Sequence, residues 1–307
     1  MSVEVWSMIG VGIATLAAGL LLALQRVRSA SGVDKLMVLG PVFGAAALAV
    51  FSAEHFTAAH ELMPIVPRWL PYPLFWVYFV GAALLAAAIS FISGRHMRWS
   101  APLLAWLFLI IVATVDLPNM RQGAHSRFFW ILTVRELSFA GGAMVLAGSA
   151  FPFASRAGDA LKNVGRMIVA LVMIFYGIEH FLYPRFVTGV PLAKPAPAWM
   201  PVLLPYFVGL SLVVAGSALL FRAKVRVAAG GCGLVLVLLT VFFYGAIFAG
   251  DIRAGRANPG LMVEDLNYIF DTMLFAGTVL MAGFSAERAV VSAAVEMHVL
   301  SREQNAV

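Results

Sequence analysis

The feature that most constrains this sequence is a succession of long apolar runs separated by short polar stretches, beginning with residues 3–24. Apolar residues make up 62% of the 307 residues and charged residues only 12%, whereas a soluble domain carries about 25% charged residues. Each run is long enough for a helix to cross a hydrocarbon layer about 30 Å thick. The sequence therefore predicts an all-α integral membrane protein and excludes a β-barrel.

The apolar runs predict nine transmembrane helices. The predicted spans are residues 3–24, 36–60, 71–93, 99–117, 128–150, 164–183, 199–221, 225–249 and 263–285. The first run resembles a signal peptide in length, but its basic residues, Arg26 and Arg28, follow the apolar run instead of preceding it. We therefore expect residues 1–30 to remain as an N-terminal transmembrane helix.

The loop charges predict the orientation of the chain in a bacterial inner membrane. Lys and Arg are more frequent on the side of the first loop than on the opposite side, so the positive-inside rule places the N-terminus outside and the C-terminus in the cytoplasm. Residues 286–307 would form a cytoplasmic tail, in which 286–303 are either a surface helix or solvated. The net charge of +6 comes from small basic groups between apolar runs, which indicates contact with the bilayer and not with nucleic acid.

The sequence contains an internal repeat. Glu-His-Phe occurs at residues 54–56 and again at 179–181, and Tyr-Phe-Val-Gly occurs at 78–81 and again at 206–209. The two copies, residues 36–150 and 164–285, each contain four predicted helices, and the first helix lies outside the repeat. Because four is an even number of crossings, both copies start on the same face and are predicted to be parallel.

The repeated unit resembles the DoxX-like family of bacterial membrane proteins. The resemblance is carried by the His-Phe pair that closes the first helix of the unit, the Trp-x-Pro element at 69–71, and Leu-Pro-Asn-Met at 117–120. The second copy has Asp-Ile-Arg at 251–253 instead of the last element. The resemblance implies a tandem DoxX-like protein with an added N-terminal helix. Some members of the family are similar to quinone-linked subunits of oxidoreductases, and related eukaryotic proteins act in export or assembly, so it leaves the activity open.

Charged and polar side chains fall in one layer near the predicted outer face. They are Glu54, His55, Asp116, Arg135, Glu136, Glu179, His180, Asp251 and Asp271. Ionisable groups at membrane depth are costly and so indicate function or a specific pairing. In the first copy Arg135 is available to neutralise a carboxylate, whereas the second copy has no cation in this layer except His180.

The second copy therefore supplies the candidate catalytic set. Two carboxylates beside a histidine, Glu179, Asp271 and His180, would repel each other in a desolvated site, and one would retain a proton. Such a set is suited to proton handling. The structural alternative is that Asp271 pairs with Arg135 across the two copies and only stabilises the bundle.

A second candidate site would bind a lipophilic ring such as a quinone head group. Glu54 and His55 would exchange protons with the ring, while Trp69 and Trp199 would stack on it or, alternatively, lie in the aromatic belt at the membrane surface. A haem or metal between His55 and His180 is a weaker alternative, and we predict no metal site. The single Cys232 excludes dithiol chemistry within the chain and a thiolate iron–sulfur centre.

Three functions remain compatible with the sequence. The first is a redox-associated subunit that binds a quinone and receives electrons from a partner protein. The second is a non-catalytic scaffold or assembly factor that contacts another protein. The third is a proton-coupled permease for a small molecule. The phosphate-binding and hydrolase motifs GxxxxGK[ST], HExxH and GxSxG do not occur in the sequence, so hydrolysis and nucleotide-driven transport lose their usual support. Whether the protein is an enzyme stays open.

Overall fold

The structure is a computed structural model that describes residues 2–123, 126–151 and 155–284. The described residues form an all-helical membrane protein. Its long helices are α1 (Val3–Ser29), α2 (Asp34–Thr57), α3 (Pro73–Ser93), α4 (Met97–Arg121), α5 (Arg127–Ser149), α6 (Arg156–Leu182), α7 (Leu204–Leu220), α8 (Val225–Arg253) and α9 (Pro259–Phe284). Eight of these described helices are long and apolar enough to cross a membrane, and α7 is a shorter apolar helix of 17 residues.

Several helix ends differ from the predicted ends because of local capping. Helix α6 begins at Arg156, eight residues before the predicted start, since the Ser155 side chain accepts a hydrogen bond from the Gly158 N–H. A serine at this position satisfies a backbone donor that the first turn leaves free. Helix α7 begins at Leu204 instead of residue 199 because prolines at 195, 197 and 201 oppose earlier helix formation. The predicted tail at 286–307 lies outside the described residues.

Two helices contain a turn of π-helix that begins 14 or 15 residues after the start of the helix. In α4 this turn covers Val112–Asp116, and in α8 it covers Leu239–Tyr244. A π turn admits an extra residue per turn and commonly marks a functional site. The first of these turns ends at Asp116, one of the acidic residues of the predicted polar layer.

Helices α2, α5 and α9 form the centre of the bundle. Most of α9 and of α2 is buried, whereas α1 and α4 are mainly exposed on the outside of the bundle. Helix α5 packs against α6, and helix α9 packs against α2. Helices α5 and α9 contact each other in the middle of the bundle. We call the face with loops 58–72 and 183–203 the long-loop face and the opposite one the short-loop face.

Glycine pairs set the closest helix crossings. A Cβ added to Gly165 of α6 would lie 2.4 Å from the Gly141 carbonyl of α5, and one added to Gly277 of α9 would lie 2.7 Å from the Gly40 carbonyl of α2. These separations are too short for any larger residue. In a bilayer, where lipid is as apolar as the helices, such close contact is a main source of helix association.

Helix α1 packs mainly against α2 in the first half of the bundle, which consists of α2–α5, and it also contacts α9 of the second half, which consists of α6–α9. Gly12 and Gly19 of α1 let it approach Val50 and Val42 of α2 closely. Helix α2 offers a row of alanines on its buried surface, including Ala46, Ala49 and Ala53. The extra helix therefore packs against α2 because both surfaces consist of small residues.

Candidate functional site

The polar layer below the long-loop face is centred on Arg135 of α5. Its Nη1 donates to Asp271 Oδ2 of α9 over 2.7 Å, and its Nη2 donates to Glu136 Oε1 over 2.7 Å. Glu136 and Asp271 are both buried. The prediction that Asp271 lacks a cation is therefore wrong, and the alternative pairing of Asp271 with Arg135 is confirmed. This pairing arises because α5 and α9 meet at the centre of the bundle.

Three more polar residues surround this ion pair. Glu54 of α2 accepts a hydrogen bond from Asn267 Nδ2 of α9 over 3.0 Å. Asn267 precedes Asp271 by one helical turn, so both side chains lie on the same side of α9. Asp116, at the end of the π turn in α4, is an electrostatic neighbour of both Glu136 and Arg135. We call these six residues the Arg135 cluster: Glu54, Asp116, Arg135, Glu136, Asn267 and Asp271.

The Arg135 cluster contains buried polar atoms that make no hydrogen bond within the described part of the chain. They are Arg135 Nε, a donor, and Asn267 Oδ1 and Asp116 Oδ2, two acceptors. Buried polar atoms in native proteins usually have a protein, water or ligand partner. A donor and two acceptors that lack protein partners in one cluster can therefore receive water or a small polar group.

Glu179 belongs to a different set of contacts from Asp271. Its Oε2 accepts a hydrogen bond from Arg127 Nε over 2.6 Å, and Arg127 Nη1 also donates to the Leu192 carbonyl over 2.7 Å. The guanidinium lies over the ring of Tyr183, 4.1 Å from its centroid. Glu179 is thus compensated by a cation, contrary to the sequence-based prediction. The predicted span began at residue 128, which assigned Arg127 to a loop. The sequence therefore did not identify Arg127 as the partner of Glu179.

His180 is held as a neutral side chain inside the second half. The Gly189 N–H donates to His180 Nε2 over 2.9 Å, so Nε2 carries no proton. The other ring nitrogen, Nδ1, donates to the Tyr176 carbonyl over 2.6 Å. The side chain is fully buried. Since both ring nitrogens have partners, His180 fixes a loop, and the structure does not bring Glu179, His180 and Asp271 together as one proton-handling set.

The loop that His180 holds enters the bundle instead of only covering its end. Residues 187–192 are buried between the helices of the second half. Tyr244 of α8 donates a hydrogen bond to the Thr188 carbonyl over 2.8 Å, and Thr272 of α9 donates to the Val190 carbonyl over 2.9 Å. The corresponding loop of the first half, 58–72, remains at the surface, where Tyr72 is 79% exposed. The two halves therefore differ most at the long-loop face.

The four residues predicted to line a quinone pocket have separate surroundings. Glu54 is part of the Arg135 cluster, whereas His55 Nδ1 bonds to the Phe51 carbonyl of its own helix over 2.7 Å. Trp69 is 69% exposed on loop 58–72. Trp199 packs on Phe243 of α8, in the second half, with ring centroids 5.5 Å apart. Of these four, only Glu54 lies at the cluster that has unbonded polar atoms.

Two other acidic residues near the long-loop face are paired with cations. Asp265 Oδ1 accepts from Lys194 Nζ over 2.6 Å, and Asp251 Oδ1 accepts from Arg256 over 2.6 Å. Within the described ranges, no group of three or more His, Cys, Asp or Glu side chains is arranged to hold a metal ion. Cys232 is buried and free. The Arg135 cluster differs from these pairs, because four of its side chains are carboxyl groups and one is a guanidinium.

Comparison with known proteins gives no assignment. None of the family models, curated proteins or solved structures compared with this chain matches it significantly.

Proposed function

We propose that this chain is a DoxX-like, redox-associated protein that binds a quinone or similar lipophilic carrier at the Arg135 cluster and exchanges protons with it. The observation that carries this proposal is the unbonded donor Arg135 Nε beside the unbonded acceptors Asp116 Oδ2 and Asn267 Oδ1. A quinone carbonyl needs a donor and a quinol hydroxyl needs an acceptor, so both redox forms find partners in the cluster.

The charge balance of the cluster supports proton exchange. Four carboxyl groups, on Glu54, Asp116, Glu136 and Asp271, surround the single guanidinium of Arg135. An uncompensated charge at this depth costs several kcal/mol, on the order of the penalty for a buried ion. The cluster therefore retains at least one proton, which it can pass to a reduced ring.

The position of Asp116 supports entry from the lipid. Asp116 is half-buried, and Leu117 beside it is exposed on the outside of α4. A lipophilic ring that moves in the bilayer would reach the cluster sideways past α4, without crossing the loops. The π turn that ends at Asp116 widens the helix at this point.

The reaction needs electrons from elsewhere. Reduction of a quinone to a quinol takes two electrons and two protons, and the carboxyl groups of the Arg135 cluster would supply the protons. The electrons would come from a partner electron-transfer protein. In this function the chain supplies binding, orientation and proton transfer, while the redox chemistry belongs to the carrier.

We also propose the finer architecture: nine crossings, as α1 followed by two parallel four-helix units, in a bacterial inner membrane with the N-terminus outside. Matching features of the two units support it. Gly40 and Gly165 both make close crossings, His55 and His180 both bond to the carbonyl four residues earlier, and α4 and α8 both carry a π turn. The long-loop face is then the outer face.

The test begins with the purified full chain in mild detergent. Mass spectrometry of the extracted lipophilic compounds is expected to find a quinone at near-stoichiometric level. Binding of the reduced, quinol form of a short-chain quinone, followed by tryptophan fluorescence, is expected to weaken at least about tenfold in Asp116→Asn, since a hydrogen bond to a charged group contributes about 1.5–3 kcal/mol.

The matched control is Asp251→Asn, which changes an acidic residue that already pairs with Arg256 in the second half. It should leave quinone binding unchanged. Equal losses in both variants, or a protein without quinone that co-purifies with a partner, would reject the quinone proposal and favour the scaffold. Proton-coupled uptake of a polar solute by proteoliposomes, without quinone binding, would favour the permease.

A further inference from the structure

The short-loop face of the second half carries a basic cluster that the proposed function does not use. Arg166 of α6 is 6% exposed and donates a hydrogen bond to the Leu219 carbonyl at the end of α7. Arg222, in the loop after α7, donates to Asn163 Oδ1 over 2.6 Å. The two guanidinium groups are electrostatic neighbours. We call Asn163, Arg166, Arg222 and Lys224 the basic corner.

The two arginines of the basic corner have no acidic partner among residues 2–123, 126–151 and 155–284. Neither Arg166 nor Arg222 pairs with a carboxylate in the described part of the chain, and the nearby Asp159 pairs with Lys162 over 2.6 Å. Two adjacent guanidinium groups repel each other unless an anion lies between them. Arg166 uses one of its five N–H donors on Leu219, which leaves others for that anion.

The backbone of the basic corner provides an independent sign of function. Arg222 has φ of 57° and Lys224 has φ of 47°, both in the left-handed region that larger residues seldom adopt. The corresponding loop of the first half has two residues in this conformation, Gly94 with φ of 69° and His96 with φ of 58°. His96 matches Lys224, whereas the position of Arg222 is taken by Gly94, where glycine meets no steric cost. A strained arginine where glycine fits better indicates that the side chain is needed.

A structural role explains only part of this arrangement. The single bond from Arg166 to Leu219 stabilises the C-terminal end of α7, as a cation at that end of a helix does. It does not explain why Arg222, which is exposed, occupies a strained position beside a second cation. An anionic ligand accounts for both residues.

The surroundings of the basic corner indicate a lipid. Phe221, directly before Arg222, is 77% exposed, and Val164 and Met167 beside Arg166 are also exposed. These apolar side chains place the corner at the edge of the hydrocarbon layer, where acyl chains would lie against them. We infer that the basic corner binds the phosphate group of an anionic phospholipid in the leaflet at the short-loop face, with Arg166 and Arg222 as its ligands.

The experiment measures thermal unfolding of the full chain in neutral detergent by tryptophan fluorescence. Added phosphatidylglycerol is expected to raise the melting temperature by about 3–6 °C, as a ligand of the folded state does. Phosphatidylcholine and inorganic phosphate at the same concentration are expected to give no increase. Native mass spectrometry should retain one phosphatidylglycerol on the wild-type protein.

Two variants separate binding from stability. Arg222→Gln should lose the shift caused by phosphatidylglycerol, and Arg222→Gly should lose the shift while melting, without lipid, no lower than wild type. The control is Arg95→Gln, an exposed arginine on the equivalent loop of the first half, which should keep the shift. An equal loss in Arg95→Gln, or an equal shift with phosphatidylcholine, would overturn the site. An equal shift with inorganic phosphate would overturn the lipid assignment.

Discussion

Arg135 is the residue on which the central polar contacts depend. It connects α5 to α9 through Asp271, and it also compensates Glu136 beside it. Removing one partner of a buried ion pair leaves an uncompensated charge, which costs far more than the pair contributes while intact. The side chain therefore stabilises the centre of the bundle and also offers its Nε to a ligand.

We expect Arg135→Gln to lower the free energy of unfolding by about 3–5 kcal/mol, because Asp271 and Glu136 lose their cation. The double variant Arg135→Gln/Asp271→Asn should recover part of this loss. Unfolding in detergent, followed by tryptophan fluorescence, measures both. Arg185→Gln, an exposed change, is the control, and a loss no larger than that of the control would contradict the role of Arg135.

The two equivalent histidines provide a second test at the residue scale. His180 accepts a hydrogen bond from the backbone of the buried loop, whereas the bond found for His55 is to its own helix. We expect His180→Ala to destabilise the protein by about 1–3 kcal/mol, because the Gly189 N–H is left buried without a partner. His55→Ala should cost less.

Hydrogen exchange measured by mass spectrometry distinguishes the histidine variants. Protection of residues 187–192 should fall in His180→Ala, because His180 accepts a hydrogen bond from Gly189 of that loop. It should stay unchanged in His55→Ala, because the bond of His55 is to Phe51 of its own helix. Equal effects on the loop would show that His180 does not hold it.

At the scale of helices, small residues decide which pairs pack closely. Gly165 of α6 lies against the Gly141 carbonyl, so an alanine there would force α5 and α6 apart. Gly231 of α8 has open space where a Cβ would lie. The same substitution in two helices thus has opposite physical consequences.

We expect Gly165→Ala to lower the free energy of unfolding by about 1–3 kcal/mol, the usual cost of overpacking. Gly231→Ala should leave it unchanged or raise it by about 0.5–1 kcal/mol, because alanine favours a helix over glycine. Thermal unfolding of both variants in the same detergent checks this. Similar destabilisation by both would mean that the crossing at Gly165 is not close.

At the scale of the whole molecule, the two halves contain similar helices but differ in the extra segment that packs against them. Helix α1 covers the alanine surface of α2 in the first half, where Ala46 and Ala53 are buried. The corresponding positions on α6 carry the larger Leu171 and Ile178, both exposed. The second half is completed by its buried loop instead. The Arg135 cluster takes four of its six residues from the half whose long-loop face has no inserted segment, and the other two, Asn267 and Asp271, from α9.

The proposed orientation predicts which side of the membrane each loop reaches. Cys232 is buried, so the wild-type protein should react little with an impermeant maleimide. Ala198→Cys, on the long-loop face, should be labelled in intact spheroplasts, and Arg95→Cys, on the short-loop face, only after permeabilisation. Both positions are exposed. The reverse pattern of labelling would invert the orientation.

The sequence by itself determined that the protein lies in a membrane, that it is helical, and that its few membrane-depth charges form one layer. An apolar run long enough to span the membrane forms a helix in lipid, because a helix pairs its own backbone N–H and C=O groups where no water is present. The costly charged residues stand out against such a background, so Glu54, Arg135 and Asp271 were identified without coordinates. Their assignment to one layer follows from counting helical turns.

Only the tertiary structure decided which carboxylate meets which cation. Arg135 and Asp271 are 136 residues apart, and Arg127 and Glu179 are 52 apart, so each pair forms only when specific helices become neighbours. Helical periodicity gives the side of a helix on which a residue lies but not the helix that it faces. The same reason applies to loop 183–203, which enters the bundle at residues 187–192. Its burial depends on the space that α6, α8 and α9 leave between them.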